Sequence, residues 1–170
     1  MREDSPVSHQ PNGAAFDLVL LLHVACVVVG VATTVTSAAT ASRLRRLTER
    51  ASPLSEATAR YFAPGVNWAG RVMYGIPVFG FALLAMSQGA YALRDAWVLS
   101  GLSLFALLVL VAESILWPAE RRLQIALADP MAEGVAPKVG VLGDVRAMAW
   151  SALACLGLLL AGSALMVAQP

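Results

Sequence analysis

The sequence predicts an all-α fold, a transmembrane four-helix bundle with both termini on the extracytoplasmic side. Three observations predict it. Apolar residues make up 58% of the chain and charged ones only 14%, whereas about a quarter of the residues of a soluble domain are charged. The apolar residues gather into four runs, each near the roughly 20 residues that a spanning helix needs. Arginine and lysine concentrate between the first and second runs and between the third and fourth. At 170 residues, four spans and their loops leave no length for a separate soluble domain.

Residues 1–15 contain Arg2, Glu3, Asp4, Pro6 and Pro11 and no apolar periodicity; they are expected to form a mobile tail ahead of a single transmembrane domain over 16–168. The first span is expected over 16–41, broken only by Asp17 and His23. Ala39-Thr40-Ala41 has the small residues of a signal-peptidase site, but a signal peptide places its positive charge before a shorter apolar stretch. Here Arg43, Arg45 and Arg46 follow the run, which reads as an uncleaved anchor with its amino end outside.

The polar stretch 43–66 predicts a loop, with Ser52-Pro53 as N-cap and first residue of a short interfacial helix. The second span is expected over 68–92, kinked at Pro77. Arg94-Asp95 then leaves so short a turn that spans two and three should be antiparallel neighbours, a tight hairpin. The third span, 96–117, ends at Pro118, with a surface continuation toward Ala128. Asp129-Pro130, Gly134, Pro137, Gly140 and Gly143 predict a loop before the last span at 145–167.

Arg43, Arg45, Arg46, Arg50 and Arg60 lie in the first loop and Arg121, Arg122 and Lys138 in the third, against Arg2 and Arg94 on the other side. Short loops rich in Lys and Arg stay cytoplasmic, so loops 43–66 and 119–144 are expected inside. Trp97 at one boundary and Trp68 and Trp117 at the other fit aromatic belts. The net charge of +1 indicates no nucleic-acid partner; the expected partners are the bilayer and other membrane subunits or a second copy.

Few residues could carry chemistry. On the first helix His23, Cys26, Gly30, Thr33, Ser37 and Thr40 recur three and four apart, a small and polar stripe suited to close helix packing. His23 stands out within it, because an imidazole can ligate haem iron or copper and an ionisable group inside a membrane is functional by default. Counted along antiparallel helices, Met86 and Gln88 sit at a similar depth, and His–Met is a known haem ligation; His23 and Met86 are therefore the cofactor candidates. The alternative is a neutral histidine hydrogen-bonded to a backbone carbonyl or to Gln88.

Arg71 and Glu113 are expected near one depth on adjacent helices, as a structural ion pair. Cys26 and Cys155 fall in apolar runs near mid-bilayer and read as small buried hydrophobes. They make neither a disulfide framework nor a Cys-x-x-Cys site, and no catalytic motif or metal-ligand set is apparent.

Leu22-His23-Val24-Ala25, followed by Gly30 and a basic end, resembles the Leu-His opening of the copper-resistance D membrane domain and that of the oxygen-independent protoporphyrinogen oxidase of bacteria. The whole chain, including Trp97 with Gly101-Leu102 and Leu116-Trp117-Pro118-Ala119-Glu120-Arg121-Arg122, is more similar to uncharacterised four-span bacterial integral membrane proteins that distantly resemble the copper-resistance group. The resemblance implies a four-helix bundle in a bacterial inner membrane and a haem b or copper link through His23. It does not imply an enzyme. The further histidines of a copper carrier are missing, and His9 lies in the tail. The functional expectation is an accessory, assembly or structural subunit of a membrane complex. A haem-binding or copper-handling protein using His23 is the alternative, and a small transporter the third.

Overall fold

A computed structural model describes residues 13–87, 89–133 and 136–168. Most of the expected tail, with Arg2 and His9, and also Gln88 and Gly134, lie outside the described residues. Among the described residues every regular element is helical. They are α1 (Ala14–Glu49), α2 (Glu56–Tyr61), α3 (Trp68–Met86), α4 (Ala96–Asp129) and α5 (Val139–Val167). All but α2 are long and apolar enough to cross a membrane.

Several boundaries differ from expectation for local reasons. The 36 residues of α1 span about 54 Å at 1.5 Å per residue, well beyond the roughly 30 Å of a bilayer core. Its last turns therefore project past the membrane, where Arg45 Nε pairs with Glu49 Oε1 at 2.8 Å. Ser52 and Pro53 lie in the reversal that follows, and Ser55 caps α2 instead, its hydroxyl accepting from Thr58 N at 3.4 Å.

The second span stops at Met86 rather than 92. Ser87, almost fully buried, donates to the Leu84 carbonyl at 2.8 Å and accepts from Tyr91 N at 3.4 Å. Gly89 follows at φ +89°, a backbone that disfavours any side chain. Asp95 Oδ2 then accepts from Ala92 N at 2.8 Å, closing the turn.

Proline shapes both middle spans. Pro77 has no N–H for the Met73 carbonyl and its ring crowds that oxygen, so the helix tightens into a 3-10 turn at Val72–Tyr74. Pro118 does the same to the Ser114 carbonyl, and there the helix widens into a π turn over Ala112–Leu116. The widened turn lets α4 run on, with helix continuing through Asp129-Pro130 to Glu133 where the sequence suggested a loop. The last span likewise begins earlier than expected, with a 3-10 turn at Val139–Val141 leading into Leu142–Val167.

Packing follows the small residues. Of the α1 stripe, His23, Cys26, Gly30, Ser37 and Thr40 are buried; Thr34, rather than Thr33, completes the face. An ideal Cβ on Gly75 would stand 2.5 Å from Cys26 Sγ, and one on Gly80 would stand 3.4 Å from His23 Cε1. These contacts set α3 on α1. On the neighbouring side a Cβ on Gly30 would meet Leu159 of α5 at 3.5 Å, while Val145, Met148, Ala152 and Cys155 of α5 join Leu108, Ala112 and Leu116 of α4 in the core.

The helices thus run in the order α3, α1, α5, α4, and the tight hairpin expected of spans two and three does not form. Segment 87–95 is long enough to let them diverge, and each finds a better small-residue seam elsewhere. Among the described residues they are joined near the end that carries the Arg43–Arg60 loop, called here the arginine-rich end, through Arg71, Tyr74, Glu113 and Trp117. Cys26 and Cys155 are free and face different neighbours, Cys26 toward Gly75 and Cys155 Sγ 3.9 Å from the Leu108 carbonyl.

Candidate functional site

The polar side chains that reach between helices collect at the arginine-rich end, just past the expected limit of the third span at Trp117. Asn67 caps α3, its Oδ1 accepting from Gly70 N at 3.3 Å. That cap leaves the Asn67 amide free to donate to Glu120 Oε1 at 3.4 Å. Phe62, wholly buried, anchors the end of α2, and the Tyr61 ring beside it meets Phe62 edge-on at 5.0 Å. The Tyr61 hydroxyl lies 2.8 Å from Ser37 Oγ on α1 and within reach of the Glu120 carboxyl.

The direction of these bonds can be assigned. Ser37 donates its proton to the Thr33 carbonyl at 2.9 Å, so it must accept from Tyr61. Glu120 is only 5% exposed; its burial raises the carboxyl above its ordinary range, only partly opposed by Asn67, Tyr61 and the charge of Arg71. Burial and the neighbouring Glu120 also raise the Tyr61 phenol, which stays protonated. The Tyr61–Ser37 bond, continued to the Thr33 carbonyl, ties α2 to α1, and the Asn67–Glu120 bond ties α3 to α4.

Arg71 and Glu113 stand beside this chain. The structure brings them together, Arg71 Nη1 lying 3.1 Å from Glu113 Oε1. The Tyr74 hydroxyl also donates to Glu113, and the guanidinium carbon sits 3.4 Å from the centre of the Trp117 ring, a cation–π contact. Both charged side chains are partly exposed, 32% and 49%. The pair positions α3 against α4. Arg71, Glu113, Glu120, Trp117 and Arg121 line a cleft of about 300 Å³.

His23 lies elsewhere, near the opposite end of α1. It is 5% exposed, and its Nδ1 has no hydrogen-bond partner. The ring faces Gly80, with the Ile76 carbonyl beside it. Met86, half-buried, is six residues beyond Gly80, about 9 Å farther along the axis. Among the described residues no three His, Cys, Asp or Glu side chains could share a metal ion.

Reading the sequence missed Tyr61, Asn67 and the burial of Glu120. Asn67 carried a usable signal, since an Asn directly before an apolar run is an N-cap pattern. Tyr61-Phe62, an aromatic pair inside an otherwise polar loop, was a second. No family model, curated protein or solved structure matches the chain.

Because folding raises the Glu120 carboxyl, the native state holds its proton more firmly than the unfolded chain. Stability is then greatest at and below the ordinary carboxyl range and falls as pH rises through the native value. Glu120→Gln should match the native protein near pH 4.5 and exceed it at pH 8 in thermal unfolding of the detergent-solubilised chain. Glu120→Leu, which strands the Asn67 amide, should lose about 1–3 kcal/mol at both. Parallel pH profiles for native and Glu120→Gln would refute the assignment.

Proposed function

We propose that this chain is a multi-pass subunit of a bacterial inner membrane that works by assembly, docking a helix of another membrane protein or of a second copy on the outward side of α5. The observation that carries this reading is Gly157. It is exposed, and a Cβ there would meet nothing within 4 Å. The other glycines with small-residue roles, Gly30, Gly75 and Gly80, are each explained by a close neighbour inside the chain. Gly157 has no such internal reason, and Ala154, Ala161 and Ala164 share its exposed face at helical spacing. Small residues at this spacing admit another helix backbone closely.

The charge asymmetry supports an orientation with the arginine-rich end in the cytoplasm. A membrane-impermeant maleimide applied to intact spheroplasts should label Arg94→Cys and spare Ser52→Cys, the native cysteines being buried. Labelling of Ser52→Cys alone would reverse the orientation.

The assembly itself is tested by extraction in a mild detergent. The native chain should emerge with a stoichiometric partner or as a dimer, and Gly157→Ile with Ala161→Ile should lose that association at least tenfold. Thermal stability should change by no more than about 0.5 kcal/mol, as for surface substitutions away from special features. A native chain that is monomeric and alone, or an association that survives both substitutions, would refute the docking face.

A second reading, His23 as a copper ligand, is favoured by the unpartnered Nδ1, since an imidazole nitrogen in that state has an open lone pair or an unsatisfied proton. The resemblance at Leu22-His23 points the same way. On the Nδ1 side the ring packs on Gly80, where a Cβ would stand 3.7 Å away, so a copper ion suits that nitrogen better than a haem macrocycle. Elemental analysis should find copper in the native protein and none in His23→Ala. Equal trace metal in both would end this reading, and a Soret band that His23→Ala removes would replace copper with haem.

A further inference from the structure

A larger cleft, of about 550 Å³, opens on the outer side of α1 next to the 62–67 segment. Val29, Ala32 and Thr36 of α1 and Ala69 of α3 line its inner part; Arg60 and Gln124 stand at its mouth. Ala32, Thr36 and Ala69 are exposed, so the cleft opens sideways, toward the space that lipid fills around a spanning helix. Its polarity is graded. The hydroxyls of Thr33 and Thr36 already donate to the Gly30 and Ala32 carbonyls at 2.9 and 2.7 Å, so the inner part offers few free donors. The mouth is cationic.

Position and size narrow the occupant. Residues 29–36 cover about 10 Å of the α1 axis, roughly a third of a bilayer core. The cleft begins level with Ser37 and Tyr61, at the arginine-rich boundary, and runs inward from there. The surrounding segment 43–66 carries five arginines against two glutamates. Arg60 engages Glu56 at 2.7 Å, but both side chains are at least 80% exposed, and a guanidinium has five donors. Most of its hydrogen-bonding capacity is free for a phosphate.

We propose that this cleft is a binding site for an anionic phospholipid of the arginine-rich leaflet, one acyl chain lying along Val29–Thr36 and the phosphate meeting Arg60. An apolar slot with a guanidinium at the interface matches both parts of such a molecule. A zwitterionic lipid fills the slot but gains less from the surrounding arginines.

The test uses the full-length chain in detergent, native mass spectrometry and thermal unfolding, with phosphatidylglycerol, phosphatidylcholine of the same chains, and inorganic phosphate as probes. One phosphatidylglycerol should be retained per chain, with affinity about tenfold above phosphatidylcholine, and inorganic phosphate alone should neither bind nor stabilise. Ala32→Phe, which fills the slot from an exposed position, should abolish retention of both lipids. Arg60→Gln should lower phosphatidylglycerol to the phosphatidylcholine level without emptying the slot. Equal affinity for the two lipids, retention unchanged in Ala32→Phe, or stabilisation by inorganic phosphate equal to that by lipid would overturn the proposal.

Discussion

Close approach of helix backbones at glycine is the constraint on which the rest of this structure depends. In lipid, apolar side chains gain little by leaving one hydrocarbon surface for another, so helices associate where their surfaces interlock. Cys26 and His23 of α1 occupy space that a side chain on Gly75 or Gly80 would fill. That fit draws α3 onto α1 rather than onto its neighbour in sequence, α4. Once α3 is committed there, α4 packs on α5, and polar contacts join the two middle spans where Arg71, Tyr74, Glu113 and Trp117 meet.

The arginine-rich end is assembled differently. Its cohesion comes from side-chain hydrogen bonds and a capped helix start, beside the fully buried Phe62 and Leu123. Glu120 joins α4 to α3 by accepting from the Asn67 amide. The charged groups around it, Arg71, Glu113, Arg121 and Arg122, are more exposed. Arg122 pairs with Asp144 at 2.7 Å, joining α4 to the start of the last helix. Hydrophobic fit thus governs the middle of the bundle, and polar geometry governs this end.

The four spans were legible in the sequence because a long apolar run has few other solutions in a bilayer, where every backbone polar group needs an internal partner. So were the small-residue face of α1 and the meeting of Arg71 with Glu113. Which helices would neighbour one another was not legible. Turn length constrains only the ends of two spans, whereas their lengths choose partners by shape, and the fit of Gly75 to Cys26 has no signature along the chain. Tyr61 and Asn67 were obscured because a short loop gives no periodicity from which to read a buried side.

The widened turn at Ala112–Leu116 has a consequence for phase. One extra residue in a helical turn advances everything beyond it by about 100° around the axis. Leu108 and Ala112 are buried before the insertion, and Ala119, Leu123 and Leu127 after it. At 100° per residue an unbroken helix would carry all five within one arc of about 100°, so the insertion turns the second part of that stripe away from the first and sets the direction in which Glu120 points toward Asn67. The burial of that carboxyl is thus inherited from a defect one turn upstream, which Pro118 makes the relaxed state of the backbone.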